Sequence, residues 1–469
     1  MSNENQLIYP TVDLFVYDLA YGIGEDEKKI SQRHQLFWQK IYGDQISATH
    51  LEQLKQAETE TADYSDNTNY LELLRDKKDH IEKFKSNLDG YAYPVKLGDT
   101  YAAQFDFSGE IEADEYKKFE PKGIDCLKSL KEEVISRVNP SATIGQSWLI
   151  SGQLTANADA NHPNALALAT AKNCYTELDL FPNAKWDRDL KATGKFLGAD
   201  FYELWLPGNK DNIIQNYHVL ICLFPYNSGE SFDVTKEKIT KLYSHFIRLF
   251  GYRNKVIWAY TETRQFKASL KEASEKIQQI VNQLPAQMNS PEVDLKELQR
   301  NLVNCLTISS VYGIFISRLE EQENTIKTNL KNYKRRLKTI GEKMGSDAEA
   351  FKFMASFSDF AKEKYVWQVA ADNRSLTAGL RLLENAIQTI EGIIEIERAK
   401  SDRTLNVTIG AVGVGIATSG VYASVYAGQI APPKNPLSAN TVFWSSIGWG
   451  VLFGALGAIF LIIIGKKWR

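Results

Sequence analysis

The sequence lacks the short motifs that mark nucleotide, metal and hydrolytic sites. It has no GxxxxGK[ST] phosphate loop, and the turn Gly22-Ile23-Gly24 is too short for the GxGxxG dinucleotide fingerprint. HExxH, an EF-hand loop and a GxSxG elbow are also missing; the stretch from Gly145 to Gly152 has the wrong spacing for the last. Cysteine is scarce. Cys126, Cys174, Cys222 and Cys305 lie far apart in apolar settings with no CxxC pair, which excludes a zinc knuckle or a disulfide framework. The opening MSNENQLIYPTVD has no basic region followed by an apolar run, so no signal peptide is expected. A basic excess is missing as well: 55 Lys and Arg stand against 58 Asp and Glu, for a net charge of -3, which argues against a nucleic-acid partner.

His218 and Cys222 sit four residues apart on a strand-like run. Alternation puts them on one face but roughly 13 Å apart, well beyond the reach of about 3 Å that a nucleophile and its base require. His162 precedes Pro163 and reads as solvated. No catalytic residue, metal site or cofactor is therefore expected, and the chain does not read as an enzyme.

What is present is a long charge-poor C-terminal region. Between Thr404 and Gly465 the one charged residue is Lys434. A first span at 404–429 and a second at 442–465 are each long enough to cross a bilayer as helices. The loop between them, 430–441, carries Pro432, Pro433 and Pro436. Arg398, Lys400 and Arg403 precede the first span, and Lys466, Lys467 and Arg469 form a basic tail at 466–469. Basic residues stay on the cytoplasmic side, so both termini are expected there, with the chain a multi-pass protein of the cell (inner) membrane. Tyr422, Tyr426, Phe443, Trp444 and Trp449 fit an aromatic belt at the far interface. Gly450, Gly454 and Gly457 are expected to let helix backbones pack closely.

Upstream, residues 266–403 read as a helical stalk. A seam of three- and four-residue steps runs from Leu295 through Leu302, Tyr312, Leu319, Ile326, Tyr333 and Ile340 to Met344, predicting one long coiled-coil-like helix. A second helix is predicted over Asp347–Asp372 and a third from about Ser375, with a seam at Leu376, Leu380, Leu383, Ile387, Ile390, Ile394 and Glu397. Continued in phase, that seam enters the first span as Thr404, Thr408, Ala411, Gly415, Thr418 and Tyr422. An aliphatic stripe in water becomes a small, hydroxyl-bearing stripe in lipid. Hydroxyls in a membrane face protein or a water-filled path, so these six residues are candidate pore-lining positions in a homo-oligomer with this helix at its axis. A monomeric bundle whose hydroxyls bond back to their own helix is the alternative.

Residues 1–265 read as an α+β cytoplasmic domain. Strands are predicted at Val12–Leu19, Thr100–Phe107, Ser147–Leu154, Phe201–Leu206, Val219–Pro225 and Lys255–Thr261. Helices are predicted at Glu25–Tyr42, Tyr70–Ser86, Ile124–Arg137, Asn164–Glu177 and Thr235–Phe250. The segments beginning at Val12 and at Val219 echo each other: an apolar strand, a glycine turn, acids, then a helix ending in aromatics and Gly43 or Gly251. This is the pattern of duplicated, ferredoxin-like βα units, with coincidence as the competing explanation. Helix N-termini after Gly24 and Gly229 leave open an anion-holding pocket between the units.

The C-terminal plan, over residues 290–469, resembles the CorA family of divalent-cation channels. It shares the long stalk helix leading into the first of two spans, the short outer loop and the ending Gly465-Lys466-Lys467-Trp468-Arg469. Where that family carries Tyr-Gly-Met-Asn, this chain reads Tyr426-Ala427-Gly428-Gln429, so the resemblance places Tyr426, Gly428 and Gln429 at an outer mouth. The family's outer-loop glutamate has no counterpart here, where the loop carries Lys434; the resemblance implies the architecture without the divalent selectivity. The opening Asp13-Leu-Phe-Val-Tyr-Asp18, followed by Leu36-Phe37-Trp38, is similar to the CATRA proteins that accompany caspase-like proteases and TPR proteins in bacterial conflict systems. The function expected from both is an oligomeric two-span channel or pore-forming effector gated by its cytoplasmic domain. Its partners would be the lipid bilayer, further copies of itself, and a cytoplasmic ligand or partner protein. The alternative is a non-conducting membrane anchor that presents an interaction domain.

Overall fold

The computed structural model describes residues 3–22, 25–63, 70–110, 120–138, 142–156, 164–206, 217–226, 232–288, 294–343 and 352–400. The chain divides into two compact units. One comprises Met1–Tyr21, Ser31–Arg264 and Gln322–Val369; the other comprises Gly22–Ile30, Gln265–Glu321 and the chain from Ala370.

The first unit is built on a ten-stranded sheet. In chain order its elements are β1 (Gln6–Leu19), α1 (Glu27–Tyr42, whose first residues belong to the other unit), α2 (Ala48–Asp63), β2 (Leu71–Glu72), β3 (Glu82–Lys83), β4 (Leu88–Leu97), β5 (Thr100–Glu110) and β6 (Pro121–Gly123). Then come α3 (Cys126–Arg137), β7 (Gly145–Gln153), α4 (Ala165–Leu178), α5 (Trp186–Asp189), β8 (Leu190–Phe196), β9 (Ala199–Leu206) and β10 (Tyr217–Phe224). The sheet order is β2-β4-β5-β1-β7-β10-β9-β8, with β3 on β4 and β6 on β1. All its pairs are antiparallel except β10 with β7.

Period-two alternation sorts the sheet into two chemically different faces. On β1, Val12, Leu14 and Val16 stand opposite Phe107, Phe105 and Ala103 of β5, and Val12 and Leu14 stand opposite Ile150 and Trp148 of β7. Val219, Ile221 and Leu223 of β10 extend the same apolar face. Helices α1 to α4 cover it with Phe37, Trp38, Leu54, Leu127, Val134 and Cys174, which share one buried core with the strand residues. The opposite face carries Asp13, Gln104, Asp106, Ser147, Ser151, Glu203 and His218, all buried. A helix lies over it as well. This is α6 (Phe232–Met288), whose residues up to Arg264 belong to this unit. Phe15 meets Phe250 edge-on at 5.2 Å, and the Tyr17 hydroxyl donates to the Ile247 carbonyl at 2.8 Å. A polar strand face that would ordinarily meet water is thus closed off by a helix.

Five predicted strands are present, at β1, β5, β7, β9 and β10. Lys255–Thr261 is not a strand; it lies inside α6. A short apolar run of β-branched and aromatic residues cannot be told from a buried helix segment by periodicity alone. Tyr70–Ser86 is not a helix: it holds β2, β3 and a turn in which Asp79 and His80 take φ of 59° and 60°. Five strands escaped prediction: β2, β3 and β6 are only two or three residues long, and the longer β4 and β8 are interrupted by glycine, with proline as well in β4. In β4, a Cβ on Gly90 would stand 2.4 Å from Cε1 of Phe107; in β8, a Cβ on Gly194 would stand 2.1 Å from Cδ1 of Phe353. Each glycine makes room for an aromatic ring.

The second unit is helical. Besides the start of α1, its described parts include the end of α6, the start of α7 (Leu295–Lys343), and most of a helix that follows α8 (Ala355–Ala361) and a π-helical turn at Lys362–Val366. That helix, α9, is Trp367–Lys400. Inside this unit Phe266 packs on Phe315 at 6.0 Å, the Lys267 ammonium reaches Asp372 at 2.7 Å, and the Tyr312 hydroxyl donates to the Leu376 carbonyl at 2.8 Å. Tyr312 gets that close because Gly379 has no side chain.

The seam predicted for α7 is its buried face: Leu298, Leu302, Tyr312, Leu319, Ile326, Tyr333 and Ile340 are all buried. The break predicted between Asp372 and Ser375 is absent, and α9 passes through it. Asp372, which reads as a helix end, is instead buried and paired with Lys267. Among the described residues one helix, Leu295–Glu342, is long and apolar enough to cross a membrane by length and composition, a test that the core helix of a soluble protein also passes. The proposed pore-lining residues Thr404, Thr408, Ala411, Gly415, Thr418 and Tyr422 lie outside the described residues. So do the mouth residues Tyr426, Gly428 and Gln429 and the packing residues Gly450, Gly454 and Gly457.

Candidate functional site

The covered polar face of the sheet opens at one end into a cavity of about 460 Å³, within the first unit. Strands β1, β4, β5, β7 and β10 form its floor and walls, and Thr240, Tyr243 and Ser244 of α6 close it from above. The volume falls in the range of small-molecule sites.

Two carboxylates meet beside it, Asp106 in the cavity lining and Asp13 outside that lining. Asp13 on β1 and Asp106 on β5 are directly opposite in the antiparallel register, which brings like-charged side chains together. Both are buried, Asp13 completely. Gln104 Nε2 donates to Asp13 Oδ1 at 2.7 Å. The Tyr243 hydroxyl stands 3.3 Å from Asp13 Oδ2 and 3.2 Å from Asp106 Oδ2. Burial holds the Asp13 carboxyl well above its ordinary titration range, and the charge and hydrogen bond of Asp106 push it further the same way. Two such groups behave as a pair that shares a proton. Burial also raises the hydroxyls of Tyr91 and Tyr243, which remain neutral.

One acceptor at the base is left over. Gln104 is 1% exposed and lines the cavity, and its Oε1 has no hydrogen-bond partner among the described residues. A buried, unpaired polar atom carries a desolvation cost of about 1–3 kcal/mol, and such atoms are uncommon enough to require a reason.

The wall bends at Tyr9. The β1–β7 register shifts between Ile8 and Thr11, and Tyr9 within that bulge has φ of 50°. Left-handed backbone is unusual for a non-glycine residue, and bulges serve to re-aim side chains beside sites. Here the bulge places Tyr9 in the cavity lining, where its hydroxyl accepts from Ser108 Oγ at 3.0 Å. At the rim, the Tyr93 hydroxyl donates to Glu72 at 2.6 Å.

A second polar cluster lies farther along the same sheet face and is closed. Glu203 Oε1 and His218 Nε2, both fully buried, approach to 3.4 Å. His218 Nδ1 meets Ser147 Oγ at 3.0 Å, and Asn254 Nδ2 donates to the same oxygen at 2.9 Å. Arg253 is fully buried between Phe357 and Trp205, its guanidinium 4.6 and 5.6 Å from their ring centres, and none of its three nitrogens has a hydrogen-bond partner among the described residues. Burial pushes Glu203 up to about 8, with Arg253 opposing, and pushes His218 well below its ordinary value.

The residues that reasoning from sequence weighed for chemistry are not brought together. His218 and Cys222 are both buried, and the partners of His218 are Ser147 and Glu203. His162, Gly24 and Gly229 lie outside the described residues. The cavity lies elsewhere and is acidic, and Asp13, Gln104 and Asp106 were not foreseen. Their signal was an acid or amide set inside apolar runs, in Val12-Asp13-Leu14-Phe15 and Gln104-Phe105-Asp106-Phe107. Among the described residues no group of three or more His, Cys, Asp or Glu could hold a metal ion. Compared with protein-family models and with curated proteins, the chain has no match.

Proposed function

We propose that this chain is an oligomeric two-span membrane channel, or pore-forming effector, of CorA-like plan. Its sheet domain is the sensor, and α9 leads from the helical unit toward the first span. The observation that carries this reading is the unbroken course of α9. The helix runs from Trp367 to Lys400 without a break, and its buried residues Leu383, Ile390 and Ile394 continue in phase to Thr404, Thr408, Ala411, Gly415, Thr418 and Tyr422. An uninterrupted helix transmits a tilt or rotation, whereas a loop would absorb it. Val303, Val311 and Ile314 on the exposed face of α7 support self-association, because a symmetric oligomer buries such a face between copies. The acidic cavity supports a sensory role for the sheet domain. The resemblance to conflict-system proteins makes a prokaryotic defence signal the natural input.

The two-helix hairpin is part of this proposal. Full-length protein in liposomes should pass ions. A chain with residues 404–465 exchanged for an unrelated two-span anchor should stay membrane-bound and pass none. Equal flux from both would show that the native spans do not form the path.

A further inference from the structure

We propose that the cavity at the base of β1 and β5 binds an organic cation, a small molecule that presents a protonated amine or guanidinium group. The assignment rests on the sensory reading of the sheet domain and supplies the chemistry of its ligand.

The floor of the cavity is built to accept hydrogen bonds and positive charge. Asp13 and Asp106 face each other across adjacent strands, with Tyr243 at hydrogen-bond range of both. Gln104 spends its amide donor on Asp13 and keeps a buried oxygen without a partner. A donor-rich cation placed there satisfies that oxygen and neutralises the acid pair at once. An anion would do neither. The charges farther out are mostly of the same sign: among the described lining residues Glu72, Asp79 and Asp89 stand against Lys83, with His80 beside Glu72 at 3.4 Å. A narrow cleft lined with one sign of charge concentrates ligands of the other.

The walls distinguish an organic cation from a metal ion. Rings of Tyr9, Tyr91, Tyr93, Tyr243 and Phe224 line the space, and aromatic faces attract ammonium and guanidinium groups. A dedicated divalent-ion site gathers several carboxylates among its six or more oxygen ligands, with water completing the shell, and no group of three or more acids or other ligating side chains is found among the described residues. At this end the lining offers the Asp106 carboxylate and the Gln104 amide oxygen, in a cavity of about 460 Å³ that a bare ion would leave mostly empty. The bulge that turns Tyr9 inward fits the same purpose.

The test is isothermal titration calorimetry on the full-length protein in detergent. Putrescine, agmatine and spermidine are the probes. Butane-1,4-diol, which has the length of putrescine without its charge, citrate and magnesium chloride are the controls. At least one of the amines is expected to bind, with the diol, citrate and magnesium silent. Asp106→Asn should weaken that binding at least tenfold. Should that variant fail to fold, Gln104→Met and Tyr243→Phe serve in its place, each expected to weaken binding severalfold while leaving the melting transition of the free protein in place. No amine binding, equal binding to the diol, or undiminished binding by these variants overturns the assignment. Magnesium bound in competition with the amines overturns it in favour of a metal site. Amine binding that leaves ion flux unchanged upholds the assignment and removes the gating reading instead.

Discussion

Glu203→Gln is expected to flatten the pH dependence of stability between pH 6.5 and pH 8. Glu203 is fully buried on β9, faced by His218, Arg253, Trp205 and Ser356, and its folded-state pKa is raised from 4.5 to about 8, by burial first. A raised folded-state pKa means that the folded chain holds a proton the unfolded chain has lost. The stabilisation is complete below pH 4.5 and is lost as pH rises through 8. His218 works in the opposite direction. Its folded-state pKa is lowered well below 6.5, so below pH 6.5 the unfolded chain takes up a proton that the folded chain refuses. The two effects offset each other below 6.5, and Glu203 acts without that opposition above it. One proton corresponds to about 1.4 kcal/mol per pH unit, so the wild type should lose roughly 1.5 kcal/mol across the window that the glutamine variant keeps. Asp13, raised in the same sense, contributes equally to both proteins, and the difference isolates Glu203. Chemical denaturation at half-unit pH intervals measures it; parallel curves for the two proteins would show that Glu203 is ionised in the folded state.

Trp38→Ala should cost about 3–5 kcal/mol, the usual loss for a large aromatic removed from a packed core. Trp38 is fully buried on α1 within the apolar face of the sheet. Its ring lies edge-on to Phe37 at 5.4 Å and stacked on Tyr42 at 5.9 Å; Phe37 in turn stacks on Tyr101 of β5 at 4.7 Å. The indole N–H donates to His34 Nε2 at 3.0 Å, and His34 is itself buried. The substitution therefore opens a cavity and strips a buried imidazole of its partner. Trp38→Phe should recover most of the packing and none of the hydrogen bond. Denaturation followed by circular dichroism gives the comparison. A loss under 1 kcal/mol for the alanine variant would mean that the α1 face is not closely packed.

The sequence pattern was most informative where a single period governs a long element. The seam of α7 followed from regular spacing alone, and its residues are buried as that spacing requires. The central strands were legible where an apolar run such as Tyr217–Phe224 is bounded by turn residues, here Pro225 and Asn227 that follow it. The pattern misled where local signals compete: Lys255–Thr261 is apolar enough for a strand, yet nothing breaks the helix on either side of it. The cavity was hidden for a different reason. Asp13 and Asp106 are brought together only by the register of β1 on β5, and Tyr243 only by the crossing of α6. No local motif encodes such a meeting, since it depends on topology. Even so, an acid inside an apolar strand is a detectable signal, because a buried carboxylate requires a partner.

Ion flux from liposomes carrying the full-length protein, with Gly415→Leu alongside, decides whether the chain conducts. The account predicts flux from the wild type, abolished when a leucine fills the small-residue stripe continuing the α9 seam. Undiminished flux in the variant would take that face out of the conduction path, and no flux from either protein, with the cavity ligand present, would contradict the channel itself.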